Sequence, residues 1–159
     1  MTHALPVEDR LAVADLLADY CELVDAYDID AVALLFTADC VTDYGPGRGG
    51  RVAGRDAVRD RIAAGQAQFR RTHHQLGQSR LRPRDAGADA GPIGAVDALT
   101  YVTAMHEEWD GRQWRAHLRY VDVVVRTRGG WLLAERRVHA AVIDGRPEIE
   151  WVWVERRTP

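Results

Sequence analysis

Apolar positions recur near the start of the chain at three- and four-residue spacing: Leu16, Leu17, Tyr20, Cys21 and Val24, with Glu8, Asp15, Asp19 and Glu22 available for outer faces. That period is one stripe of an amphipathic helix and predicts a first helix from Pro6 to about Tyr27. A second, short helix is expected over residues 30–36, opened by Asp30 as its cap. Val41 to Tyr44 reads as a strand, broken by the Gly-Pro-Gly and Gly-Gly pairs that follow. An Ala-rich stretch with Val58, Ile62 and Phe69 among charges predicts a third helix from Arg55 to Phe69. Beyond it the period drops to that of strands. Residues 72–82, 95–109, 114–127 and 131–143 alternate or carry Val-rich runs, with Asp110-Gly111 and Gly129-Gly130 as hairpin turns. Asp85 to Gly94 is the expected long loop, and Glu148 to Val154 a final strand with Trp151 and Trp153 on one face. Helices first and strands afterwards predict an α+β fold. Its form is a cone-shaped, curved, mixed or antiparallel sheet wrapped around the N-terminal helix, with three helices in all and an internal pocket at the open mouth.

A length of 159 residues suits one domain, 1–159. Apolar residues make up 47% and charged residues 28%, the balance of an ordinary soluble protein. A net charge of −3 argues against nucleic acid as a partner. The longest apolar runs are about six residues, against roughly 20 for a membrane span. With acids early at the N-terminus and no apolar signal core, a cytoplasmic location without membrane contact is expected.

Absent residue types change the picture more. The chain has no Lys, which excludes Schiff-base, pyridoxal-phosphate and P-loop chemistry. Ser79 is its only serine, in a Gly-Gln-Ser-Arg-Leu context that is not a nucleophile elbow. Cys21 and Cys40 lack flanking Cys or His at zinc spacing and read as small core residues. No His-x-His or His-x-x-x-His occurs, so neither a metal nor any other cofactor is expected.

Acid–base material is left to carboxylates, Tyr and His. Asp25 ends the first helix, where the carbonyl dipoles already present negative charge, so an inward Asp25 needs a donor or cation. A solvated helix-end carboxylate is the plainer reading. In Thr72-His-His-Gln-Leu76, alternation puts His74 with Thr72 and Leu76 on one face and His73 with Gln75 on the other. One of the two histidines therefore points inward if this strand lines the core. An inward His beside an inward Asp has the base-plus-orienter form of general acid–base sites.

The string from Tyr20 through Asp25, Tyr27, Asp28, Asp30, Leu35-Phe36-Thr37 and Asp39, followed by Gly54 and Thr72-His73-His74, resembles the SnoaL-like (polyketide-cyclase-like) branch of the nuclear transport factor 2-like superfamily. Its relatives by this likeness are scytalone dehydratase, bile-acid 7α-dehydratase and hexachlorocyclohexane dehydrochlorinase. The resemblance implies the cone fold and a catalytic pair of Asp25 and His74. Tyr44 would polarise a carbonyl, with Tyr20 near the substrate and His106 near the position of a second catalytic histidine. Val24 departs from the tyrosine of scytalone dehydratase, which argues against that enzyme's own substrate. Tyr20 and Tyr44 can also be ordinary core or rim aromatics, and His106, beside Glu107 and Glu108, an exposed strand end. His117 and His139 are weak pocket candidates. Arg136-Arg137 and Arg156-Arg157 read as solvated or interface residues, and Trp114, Trp131, Trp151 and Trp153 as sheet-face packing or a subunit interface.

The function this implies is a cofactor-independent dehydratase or isomerase acting on a small apolar carbonyl metabolite of polyketide, steroid-like or aromatic type. The alternatives are a cyclase of the same family, or a non-catalytic ligand-binding or assembly module such as a dioxygenase small subunit. Family likeness also implies a homodimer or homotrimer, and the apolar final strand with Trp151 and Trp153 is where it is expected to pair.

Overall fold

The computed structural model describes residues 4–84, 94–146 and 148–157. Helix α1 spans Val7–Asp25, entered through Pro6, with Glu8 and Asp9 in its first turn, where acids complement the helix dipole. Its buried stripe is Val13, Leu16, Leu17, Tyr20, Cys21 and Val24. The helix stops in a Schellman arrangement: Tyr27 N–H donates to the Val24 carbonyl and Asp28 N–H to the Leu23 carbonyl. Tyr27 takes the left-handed position at φ 58° that glycine usually fills. Helix α2, Ile29–Leu34, is capped by Asp28 rather than Asp30, because it is the Asp28 side chain that accepts the Ala31 N–H.

Strand β1 (Phe36–Asp43) begins earlier than its turn signals suggest, and β2 (Arg51–Ala53) is too short to show a period. Between them Pro46–Arg48 makes a single 3₁₀ turn. Helix α3 covers Arg55–Gln66 only, since Phe69 opens the next strand. Four long strands follow as an antiparallel meander: β3 (Phe69–Pro83), β4 (Ala95–Glu108), β5 (Gln113–Thr127) and β6 (Gly130–Asp144). The sheet order is β2-β1-β6-β5-β4-β3, with β1 parallel to β6 and every other pairing antiparallel. Bulges in the β3–β4 and β5–β6 ladders bend the long strands. The open, curved sheet holds α1 against β3 and β6, which is the expected cone of three helices and a mixed sheet. Most of the expected 85–94 loop lies outside the described residues.

The tail and Arg136 also depart from expectation. Residues 148–154 are not a strand of the sheet. They make one parallel bridge, Trp153 with Ala140, where the tail takes the place beside β6 that β1 leaves after Asp43. Trp151 is buried there and Trp153 is 54% exposed, so the two do not share a face. Arg136 is not solvated. It is fully buried and pairs through Nε and Nη2 with Asp122 at 2.9 and 2.7 Å, because the β5–β6 register sets the two residues directly opposite each other. Arg137, one residue on, is exposed beside Glu135. Cys21 and Cys40 are free and buried, and burial pushes the Cys21 thiol up to about 11.

Candidate active site

Strand β3 alternates as its period dictates. Thr72, His74 and Leu76 turn inward while His73, Gln75 and Gly77 face solvent. A bulge between Phe69 and Arg71 brings Phe69 to the inner side as well. Because α1 ends against this strand, Asp25 reaches three groups at once. Its Oδ1 accepts the Thr72 hydroxyl at 2.7 Å and lies 2.7 Å from His74 Nδ1, while Oδ2 accepts the His74 main-chain N–H at 2.8 Å. A carboxylate oxygen beside Nδ1 selects the tautomer protonated there, leaving Nε2 as the basic nitrogen. Burial raises the Asp25 carboxyl, but the His74 and Thr72 hydrogen bonds outweigh it and hold the group below its ordinary value.

The space in front of His74 follows from its neighbours. Level with it across the sheet stand Ala104 and Ala116, fully buried and too small to fill the interior. An inner chamber of about 40 Å³ results, walled by His74, His106, Tyr20, Tyr44, Arg48 and Trp151 among others. It adjoins an outer chamber of about 290 Å³ between α3 and the 45–50 loop, and Tyr20, Tyr44, Arg48 and Gln66 belong to both.

The Tyr20 and Tyr44 hydroxyls lie 2.9 Å apart. Burial pushes the Tyr44 phenol well above its ordinary value, so Tyr44 stays a neutral donor. Tyr20 stands edge-on to Phe36 and Tyr120, with the Arg136 guanidinium 4.0 Å from its ring centre and 4.2 Å from that of Tyr120. The Arg136–Asp122 pair thus forms a charged floor beneath the tyrosines.

His106 is no exposed strand end. It is 4% exposed, stacked on Trp114 at 3.9 Å, with the Phe69 ring at 4.5 Å and the His74 ring at 5.8 Å. Burial, helped by His74 and Arg48, drives its pKa down to about 2, so it is a neutral imidazole. The structure therefore brings Tyr20, Tyr44, His74 and His106 to one chamber, with Asp25 holding His74. His117 lies on the opposite face beside Thr103, and His139 alternates with buried Val138 and Ala140, so neither joins them.

Three participants carry no sequence signal of their kind. Arg48 sits in the glycine-rich loop with its guanidinium 4.9 Å from the Trp151 ring centre. Arg61, on α3, lies 3.6 Å over the Tyr44 ring and donates to the Thr42 hydroxyl and the Arg48 carbonyl. Trp151 closes the chamber from the tail, which is held where Gly47 N–H donates to the Glu150 carbonyl at 3.0 Å. A Cβ at Gly47 would stand 2.6 Å from that carbonyl oxygen, so only glycine permits the approach. Among the described residues no three His, Cys, Asp or Glu side chains converge as a metal site, and no helix is long and apolar enough to cross a membrane.

The SnoaL-like domain family matches residues 6–137. Among solved structures, a protein from Novosphingobium aromaticivorans provisionally named a scytalone dehydratase superposes with a TM-score of 0.83 at 21% identity, covering 96% of this chain and 97% of that one. A second from the same organism, provisionally named an aromatic ring hydroxylase, gives 0.78 at 29% identity over 89% and 96%. A hexachlorocyclohexane dehydrochlorinase (LinA) gives 0.74 at 16% identity over 92% and 94%. These likenesses establish the nuclear transport factor 2-like fold. No curated protein matches the chain.

Proposed function

The chain belongs to the SnoaL-like domain family, and on that footing we propose that it is a cofactor-independent lyase of the dehydratase type, acting on a small, largely apolar carbonyl compound. The observation that carries this reading is the hydrogen-bonded Asp25–His74 pair on the same chamber as the Tyr20–Tyr44 hydroxyl pair. His74 Nε2 removes a proton from the carbon next to the substrate carbonyl, and the C–H electron pair moves into an enolate. Asp25 stabilises the imidazolium so formed. Two hydroxyls joined by one hydrogen bond have one proton left over, so the Tyr20–Tyr44 pair can donate to the enolate oxygen. The enolate re-forms the carbonyl and expels the β-hydroxyl, which takes the proton from His74 and leaves as water, giving a carbon–carbon double bond. Isomerisation or ring closure uses the same groups and differs in the substrate.

A second reading, as a non-catalytic assembly module, draws on the 29%-identical neighbour named for ring hydroxylation. Such a module has no use for a hydrogen-bonded acid–base pair at a chamber wall. The test is a panel of small β-hydroxy-carbonyl compounds followed by the absorbance of the conjugated product, with wild type and His74→Ala side by side. Dehydration by wild type, lost by about 10²–10⁴-fold in the variant, is the expected result. Equal rates in the two remove His74 from the mechanism.

A further inference from the structure

Resting on the reading above, we propose that the substrate carries a carboxylate beside its apolar body, received by Arg48 and Arg61 at the junction of the two chambers. Neither chamber has an Asp or Glu among its lining residues, yet Arg48 lines both and Arg61 the outer one. Among the described residues no carboxylate forms a salt bridge with either side chain, although Arg59, Arg84, Arg112, Arg136 and Arg146 all have one.

Arg61 is oriented by neutral partners only, the Thr42 hydroxyl, the Arg48 carbonyl and the Tyr44 ring. Arg48 has aromatic faces for company, with Trp151 at 4.9 Å and Trp114 at 5.6 Å. Burial lowers its guanidinium to about 10, still high enough to keep it charged at neutral pH. Three walls of the inner chamber also contribute buried nitrogens with no protein partner: Arg48 Nε, His106 Nδ1 and Trp151 Nε1.

A cation held in a low-dielectric wall without a counter-charge is costly to the fold, and the cost is recovered when an anion binds. Two guanidiniums and the unpaired N–H groups of Arg48 Nε and Trp151 Nε1 suit a planar, two-oxygen acceptor. The outer chamber, at about 290 Å³, limits the ligand to a small molecule. Anchored there, the substrate directs its carbonyl into the inner chamber, towards His74 and the tyrosines. A substrate that is wholly apolar leaves both cations unanswered.

The test titrates benzoate, benzamide and phenyl phosphate into the full chain by calorimetry, for wild type, Arg48→Gln, Arg61→Gln and His74→Ala. Benzoate should bind wild type at least about tenfold more tightly than its neutral isostere benzamide. Each arginine variant should lose most of that preference while its benzamide affinity stays put, and His74→Ala should keep the preference. Equal binding of benzoate and benzamide by wild type overturns the proposal whether or not the variants fold. Tighter binding of phenyl phosphate than benzoate overturns the carboxylate assignment in favour of a phosphate ester. The dehydratase reading fails separately, through undiminished turnover in His74→Ala.

Discussion

Asp25 grips His74 twice, by the ring at 2.7 Å and by the main-chain N–H at 2.8 Å, so one carboxylate sets both the position of the strand and the tautomer of the base. Replacing it with Asn leaves a single acceptor oxygen for three donors. Asp25→Asn should lower turnover by about 10²–10⁴-fold, as expected for loss of the imidazolium partner. It should also cost about 1–3 kcal/mol of stability from the stranded donor, read by urea denaturation. An assembly module would show the second effect without the first. Because folding depresses the Asp25 pKa, the stability it contributes is present above the ordinary carboxylate value of 3.8 and is lost as pH falls through the lower folded value.

His106 governs a different pH window. Its folded value of about 2 lies below the free value of 6.5, so the unfolded chain takes up this proton first. Stability is therefore full above pH 6.5 and declines as pH falls from there towards 2, with a limiting slope of about 1.4 kcal/mol per pH unit. Urea midpoints measured from pH 7 to 4.5 should show this decline. His106→Phe, which keeps a ring against Trp114, should flatten it.

Tyr20 and Tyr44 share one hydrogen bond, so their variants should not add. Tyr20→Phe and Tyr44→Phe are each expected to lower turnover by up to about 10²-fold, and the double variant by much less than the product. Full additivity in that cycle would show that the two hydroxyls act apart.

The buried Arg136–Asp122 pair should be costly to break and easy to replace. Asp122→Asn leaves the guanidinium without its counter-charge and should destabilise the fold by about 3–5 kcal/mol. The paired change Asp122→Leu with Arg136→Met should recover most of that in urea denaturation. Turnover should still fall in the pair, since Tyr20 then loses the cation 4.0 Å from its ring centre.

What could be read from the chain beforehand follows the range of the forces involved. Alternation along 72–76 is local, and it set His74 with Thr72 and Leu76 on one face and His73 on the other, while the family resemblance singled out His74. The helical stripe of α1 runs to Val24 and sets Asp25 near the helix end, although the sequence carries the helix on to about Tyr27 and the structure ends it at Asp25. Arg136 could not be read, because its burial depends on Asp122, 14 positions away, and on a register set by the hairpin between β5 and β6. His106 was drawn towards solvent by Glu107 and Glu108, whereas the stack on Trp114 comes from its cross-strand neighbour. Arg48 lies in a run of glycines with no period at all. Trp151 closes the chamber through a tail whose place opens only because β1 ends early.

That tail separates fit from framework. The proposed acid–base groups stand on a helix and on 14- and 15-residue strands laced into the sheet, whereas Trp151 stands on a segment tied to β6 by a single bridge. Exchanging a side chain there reshapes the roof over the substrate while the ladder beneath keeps its bonds. A change of side chain at position 151 therefore alters which molecule fits the chamber and leaves untouched the strands that carry His74 and His106.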